Sequence, residues 1–153
     1  MRRNDKEIKD KSVIGKILEE ADICRVGFSV NNVPYIVPVN FAYRNNRLII
    51  HSAPDGKKID AISKNPYVCF EIESNVKIIP GETPCNWSTR YRSVIGYGVI
   101  KIITDAEEKR KGLDIIMSKY LKNNTFEYKK NNIDRMVILR IDIETMSAKQ
   151  SGF

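Results

Sequence analysis

The sequence predicts a mainly-β protein, an antiparallel barrel with helices at its periphery. Three observations carry that expectation. β-Branched and aromatic runs recur through most of the 153 residues, and short Asn-, Gly- or Pro-containing turns separate them. Helical spacing appears only near the start, briefly in the middle and again late. No regular β-α-β alternation is present, which argues against a doubly wound parallel sheet. About six or seven strands are expected, in a single domain over residues 1–153.

Residues before Asp10 form a polar lead-in. From Asp10 to Ala21, the residues Ile14, Ile17, Leu18 and Ala21 follow the i, i+3, i+4, i+7 spacing of an amphipathic helix. Ile23–Val30 is a strand, and Asn31-Asn32 is a two-residue turn of the kind that tolerates positive φ. The run Val33–Tyr43 returns as a strand. Pro34 and Pro38 cannot donate to a ladder, so this strand is expected to be bulged or to lie at an edge. Arg44-Asn45-Asn46 turns into a third strand, Arg47–Ser52, which would complete a meander. Tyr67–Glu73 and Val76–Ile79 give further strand, split near Ser74-Asn75. Pro80–Trp87 is a loop, and Arg90–Thr104 is a long strand in which Gly96 and Gly98 mark a bend or a close approach. Thr104-Asp-Ala-Glu107 has the form of a capping box. It opens a helix whose apolar face is Leu113, Ile116, Met117, Tyr120 and Leu121. Lys122–Asn132 is polar linker, and Val137, Leu139, Ile141 and Ile143 alternate with polar residues in a half-buried strand.

Composition narrows the class. The 42% apolar and 29% charged residues suit a folded globule. No apolar run nears the ~20 residues that span a bilayer. The charged start lacks the apolar stretch of a signal peptide, so a cytoplasmic location without membrane contact is expected. Cys24, Cys69 and Cys85 are odd in number and widely spaced, and there is one histidine, so no Cys/His metal site is expected. Cys24 and Cys69 read as core thiols, and Cys85, in the Pro-containing loop, is the one to test for reactivity. The net charge of +7 admits an anionic ligand, but its lysines are dispersed and form no nucleic-acid-binding tract.

One stretch is more specific. Strand Arg47–Ser52 ends in His51-Ser52, Pro54-Asp55-Gly56 turns, Lys57-Lys58 opens a short helix, and Asn65-Pro66 stops it. Free N–H groups at a helix start, with lysines beside them, suit a phosphate. Adjacent lysines diverge by ~100° on a helix, so both cannot reach one phosphate by side chain. Surface solvation is the alternative for either. Ser52 offers a hydroxyl donor or simply initiates the turn.

Four pieces in this order carry a resemblance to a known group: Tyr35-Ile-Val-Pro-Val-Asn-Phe-Ala-Tyr43; Ile50-His-Ser-Ala with Gly56-Lys-Lys-Ile-Asp60 and Asn65-Pro66-Tyr-Val68; Tyr91-Arg-Ser-Val-Ile-Gly-Tyr-Gly98; and the helix opened by Asp105-Ala-Glu-Glu-Lys109. Together they cover most of the chain. The sequence resembles the FMN-binding split-barrel superfamily of pyridoxamine-5'-phosphate oxidase-like proteins, and within it the nitroimidazole-resistance (nitroimidazole reductase) branch. The resemblance implies a homodimeric split barrel with FMN in a cleft at the subunit interface. It implies that His51, Ser52, Ala53, Lys57 and Lys58 hold the flavin phosphate, with Lys58 the lysine that reaches it. Arg92, Ser93 and Val94 would line the site, and the ring would lie near Pro38, Val39 and Asn40. It further implies electron transfer from NADH or NADPH through FMN to a small acceptor such as a nitro compound.

Within that frame His51 lines the pocket, with a proton-transfer role as a second reading, and Asn40 either bonds the flavin edge or ends its strand. Strand alternation lets only one of Arg92 and Ser93 face the cleft. Ser93 is taken for that role, with Arg92 at the dimer interface. Tyr91 and Trp87 are candidate aromatic neighbours of the ring. Three other readings stay open on the sequence: a pyridoxamine-phosphate-oxidase-type enzyme, a flavin carrier without turnover and, more distantly, an OB-type nucleic-acid-binding barrel.

Overall fold

The structure, a computed structural model, describes residues 4–121 and 126–153. Its elements in chain order are β1 (Glu7–Ile8), α1 (Lys11–Glu20), β2 (Ile23–Val30), β3 (Val33–Asn40), β4 (Ala42–Arg44), β5 (Arg47–Ser52), α2 (Lys57–Lys64), β6 (Tyr67–Ile79), β7 (Ser88–Ile103), α3 (Ala106–Tyr120), α4 (Lys130–Asp134) and β8 (Val137–Ser151). The strands form one antiparallel sheet ordered β3-β2-β6-β7-β8-β5-β4, with β1 added beside β8. That is eight strands against the six or seven expected, because the short β1 and β4 are strands in their own right.

Asparagine pairs set both tight hairpins. Asn31-Asn32 and Asn45-Asn46 all carry positive φ between 51° and 62°, the conformation a two-residue hairpin turn needs. Each turn fixes its register: Val30 faces Val33, and Arg44 faces Arg47. The expected meander is corrected here. Val33–Tyr43 is not one strand, because Phe41 breaks it into β3 and β4 at opposite ends of the strand order. Consecutive Cα atoms are only ~3.8 Å apart, so a sheet whose two ends are joined through one residue must curl until those ends meet. Phe41 is fully buried at this corner. The prolines of β3 sit on an end strand, as their missing N–H groups require.

The barrel interior is filled by alternate residues of each strand: Val26 and Phe28, Leu48 and Ile50, Phe70 and Ile72, Leu139 and Ile141. α1 adds Ile14, Ile17 and Leu18 to this core, and its N-cap Asp10 accepts a bond from the Ser12 amide at 2.8 Å. β6 runs unbroken past Ser74-Asn75, where a register shift and a positive φ at Asn75 make a bulge at the expected split. The approach expected at Gly96 and Gly98 comes from the protein itself. A Cβ at Gly98 would lie 2.3 Å from the Asp142 carbonyl oxygen, and one at Gly96 would lie 2.3 Å from the Phe70 ring.

Four further expectations change. The N-cap of α3 is Asp105, not Thr104, and its carboxylate accepts from the amides of Glu107 and Glu108 at 3.1 and 2.9 Å. The buried stripe of α3 is Lys109, Gly112 and Ile116, while Tyr120 and Leu121 are exposed. Gly112 lets the helix sit down on Ile138, and the buried Lys109 ammonium donates to the carbonyls of Ile133 and Met136 at 2.5 and 3.0 Å. β8 continues to Ser151, and Ile138 on its outer face is buried beneath α3 with Ala42, Ile49 and Ile116. Finally, part of the polar lead-in pairs as β1, with Glu7 opposite Lys149 and Ile8 opposite Ala148. Of the linker expected over Lys122–Asn132, residues 122–125 lie outside the described residues, and the remainder includes the start of α4.

Candidate functional site

The start of α2 is built to leave donors free. Gly56 takes φ 95° and ψ 175°, a conformation open to glycine, and supplies no side-chain cap. The first amide to be satisfied within the helix is that of Asp60, which donates to the Gly56 carbonyl at 3.1 Å. The amides ahead of it are the unpaired donors of a helix N-terminus. The two lysines here have different fates. Lys57 places its Nζ 4.3 Å from the centre of the Tyr35 ring, which fastens α2 to β3 beside an apolar hollow formed by Phe28, Val30 and Val33. Lys58 is half-buried and has no ion pair among the described residues, and burial pushes its ammonium below the usual lysine range. A desolvated, unpaired ammonium next to unpaired amides favours an anion.

The end of β5 approaches this point. Ser52 is buried on the inner face and makes no side-chain hydrogen bond to another described residue. His51 faces outward and is exposed, opposite Ile138 of β8, and Ala53 is exposed at the turn. β3 lies beside β5 across the barrel closure. Pro38 and Asn40 are exposed on its outer face, whereas Val39 packs on the core. Asn40 donates its Nδ2 to the Asp22 carbonyl at 3.3 Å, so it ends its strand and keeps its Oδ1 free.

Arg92, Ser93 and Val94 are placed elsewhere. Val94 is 0% exposed in the core, so its side chain lines no cleft. Arg92 lies on the same face as Val94, donating from Nε to Gln150 at 3.2 Å and stacking 4.1 Å over the Phe153 ring, with Arg90 at 5.1 Å. Ser93 is on the outer-face side, between Glu73 and Lys149 in the ladder, and is itself buried. The expected alternation of Arg92 and Ser93 is therefore present, with Arg92 engaged inside its own chain. Trp87 is exposed after the turn at Pro84–Asn86, and Tyr91 is half-buried under the Lys149 ammonium, 5.8 Å away.

The outer face of β3, β2, β6 and β7 holds a feature that single-residue reading missed. Ile36 (65% exposed), Tyr67, Ile95 and Tyr97 stand on it, with the two tyrosine rings stacked at 6.3 Å. Arg25 crosses the patch to Glu71 at 3.0 Å and Glu73 at 3.2 Å. Burial holds the Glu71 carboxyl above its usual range despite Arg25. Tyr35 was also missed as a contact of Lys57, though the Asn31-Asn32 turn fixes it opposite Phe28. Cys24 is buried, and burial pushes its thiol up to about 12; Cys69 is half-buried and Cys85 exposed. Among the described residues no cluster of His, Cys, Asp or Glu is arranged to hold a metal, and no helix is long and apolar enough to cross a membrane.

With this geometry in hand, comparison places the chain. A family profile described as pyridoxamine 5'-phosphate oxidase matches residues 10–150. The chain belongs to the pyridoxamine 5'-phosphate oxidase family. This family member is 35% identical to a candidate 5-nitroimidazole antibiotic resistance protein from Bacteroides thetaiotaomicron. The two structures superpose with a TM-score of 0.83 over 94% of this chain and 86% of the other. The flavocytochrome Anf3 from Azotobacter vinelandii shares the fold at a TM-score of 0.86 and 18% identity, over 100% of this chain and 72% of that one. A shorter match, 38% identical over 56 residues, is to uncharacterized protein RA0666 of Rhizobium meliloti (strain 1021). It takes in 37% of this chain and about a third (36%) of that relative's length. The split barrel inferred from sequence is the fold observed.

Proposed function

We propose that this chain is a homodimeric FMN-binding oxidoreductase that passes electrons from NADH or NADPH to a small acceptor such as a nitro compound. The single observation that carries the reading is the half-buried, unpaired Lys58 beside the uncapped amides of α2, in a chain of this family. Those donors fit a phosphate dianion: backbone N–H groups, one ammonium and the Ser52 hydroxyl. FMN is elongated, with its phosphate at one end and its ring at the other. β3 leads away from the Lys57–Tyr35 contact toward Pro38, Val39 and Asn40, which are the residues that would hold the ring end. Asn40 retains an acceptor for the ring edge.

The flavin, when bound, supplies the redox chemistry, and the protein supplies binding, orientation and the hydrogen bonds that tune it. Lys58 and the α2 amides would hold the phosphate. His51, exposed at the end of β5, borders the pocket and is the one imidazole in the sequence, placed to hold or move a proton there. The likeness to the Bacteroides protein supports a nitro-compound acceptor. The apolar outer face supports a second copy as partner, since exposed patches of this kind mark interaction surfaces.

Purified protein tests the reading directly. It should be yellow, or turn yellow with added FMN, and should release FMN when denatured. Anaerobic reduction is then followed with NADH and NADPH, and reoxidation with nitro compounds and quinones. Failure to bind FMN removes the cofactor assignment. FMN binding without reduction by either donor removes the enzyme and leaves a flavin carrier.

A further inference from the structure

A second site lies on the opposite side of the sheet from the barrel core, and nothing in the flavin reading uses it. α3 touches the sheet where Gly112 meets Ile138; a Cβ on that glycine would stand 2.8 Å from the isoleucine side chain. Beyond this contact the helix and the β4–β5 hairpin separate, leaving a cleft of about 160 Å³. Its floor is apolar, made by Ile49, Ile103, Ile115 and Ile138. Its rim carries Arg44, Arg47 and Arg140 from the sheet and Lys111 from the helix against one lining carboxylate, Glu108.

The charges on that rim do not balance. Asp142 is the one carboxylate facing Arg47 (3.0 Å), Arg140 (3.1 Å) and Lys101 (2.9 Å). Glu107 and Glu108 are both taken by Lys111, at 2.8 and 3.0 Å. Arg44 has no ion pair among the described residues, yet it stands directly opposite Arg47 in the hairpin ladder. Like charges in that position repel. Arg140 Nε and Asp142 Oδ1 are both shut off from solvent, and despite their 3.1 Å separation neither makes an aligned hydrogen bond. Arg140 also donates from Nη2 to Asp142 Oδ2 at 3.4 Å, so three cations share one carboxylate. The cleft thus offers the whole guanidinium of Arg44, with the under-neutralised Arg140 beside it, above a hydrocarbon floor. Guanidinium forks match carboxylates in pairs, while a bare inorganic anion would leave the isoleucine floor unused.

We infer that this cleft binds a small organic carboxylate, its ring or chain on the isoleucines and its head between Arg44 and Arg140. The inference does not depend on the flavin reading. Benzoate is the probe, titrated calorimetrically into the full chain at low salt, with benzyl alcohol as its neutral counterpart. Inorganic phosphate, titrated in the presence of saturating FMN so that the α2 site is filled, is the anion without a hydrocarbon body. Benzoate should bind saturably, and both controls at least tenfold more weakly. Arg44→Gln should weaken benzoate roughly tenfold, Arg44→Lys less, and Lys57→Ala not at all, with melting curves confirming that each variant folds. Saturating benzoate should leave FMN affinity unchanged. Absence of benzoate binding, equal binding by Arg44→Gln, or displacement of FMN by benzoate would each overturn the site. Benzoate binding in a protein that takes up no FMN would keep this site and remove the flavin assignment alone.

Discussion

Replacing Lys58 by alanine is the sharpest test of the phosphate site, because its neighbour Lys57 is a built-in control. Both lysines open α2, but Lys57 is committed to the Tyr35 ring at 4.3 Å, whereas Lys58 is half-buried and unpaired. A hydrogen bond to a charged group contributes about 1.5–3 kcal/mol, and each ~1.4 kcal/mol is tenfold in affinity. Lys58→Ala should therefore weaken FMN binding roughly 10- to 150-fold. Lys57→Ala should lose a cation–π contact of about 0.5–1 kcal/mol from stability and change FMN affinity by less than about threefold. Quenching of flavin fluorescence on titration reads the affinity, with circular dichroism confirming the fold. Unchanged FMN affinity in Lys58→Ala, or equal losses in the two variants, would refute the assignment.

The same lysine fixes a pH dependence. Burial holds free Lys58 below its ordinary 10.5, and a phosphate dianion beside it raises it again. Between those two values the complex keeps a proton that the free protein has shed. FMN affinity therefore falls as pH rises through the lowered value of the free lysine. At the acid end it falls below about pH 6, where the phosphate loses its second charge. Lys58→Ala should abolish the alkaline decline and leave the acid one.

Three other outcomes follow from the structure. Asp105→Ala removes two cap bonds from α3 and should cost about 1 kcal/mol, lowering Tm by about 2–4 °C, while Thr104→Ala stays within about 0.5 kcal/mol; equal effects would return the cap to Thr104. Lys119 donates to the carbonyls of Leu18 and Ala21 at the end of α1, and burial lowers it to about 8. Between that value and 10.5 the unfolded chain holds a proton that the fold has lost, so stability rises with pH across the window. Lys119→Met should flatten that rise, which is on the order of 1 kcal/mol once its half-exposed position is allowed for; a wild-type curve flat from pH 8 to 10 would contradict it. Alkylation of native protein followed by mass spectrometry should label Cys85 first and Cys24 only after unfolding, because Cys85 is exposed and the Cys24 thiol is buried and raised to about 12.

Local signals were legible in the sequence, and long-range ones were not. Asn31-Asn32 and Asn45-Asn46 announced their hairpins because few residues other than asparagine and glycine accept positive φ readily. The apolar spacing of α1 announced its buried face for the same local reason. The break at Phe41 carried no such signal: a buried phenylalanine suits mid-strand and corner equally, and only the pairing of β4 with β5 on the far side of the barrel decides. The burial of Lys109 carried no local signal either, since lysine is mostly a surface residue and only Gly112 lowering the helix onto the sheet brings carbonyls to the ammonium. At the site, Gly56-Lys57-Lys58 was readable as a helix start. The division of labour between the two lysines was not, because it depends on where the β2–β3 hairpin brings Tyr35.

Ser93 is the candidate that decides whether one chain makes the flavin site or two. His51 pairs with Ile138, and Ile138 pairs with Ile103; from there Ser93 lies about 33 Å along β7 at ~3.3 Å per residue. Reckoned the other way, Pro38, Arg25, Glu71 and Ile95 form one row across four strands. Asn40 and Ser93, two residues on along β3 and two residues back along β7, share the next row on the same outer face. Three strand spacings of ~4.8 Å separate them, which is about 14 Å across that face, with Ser93 buried at its far end. Within one chain, then, Ser93 stands beside neither the phosphate end at Lys58 nor the strand proposed for the ring, and it reaches a flavin there only from a second copy laid on that face. The proposed dimer, if formed through the patch, would supply this and would cover Ile36, Tyr67, Ile95 and Tyr97 together. Ile36→Asp and Tyr97→Asp should each yield monomers by light scattering and, in consequence, weaken FMN binding at least tenfold. Monomers that bind FMN as tightly as the parent chain would place the whole site in one subunit and remove Ser93 from it.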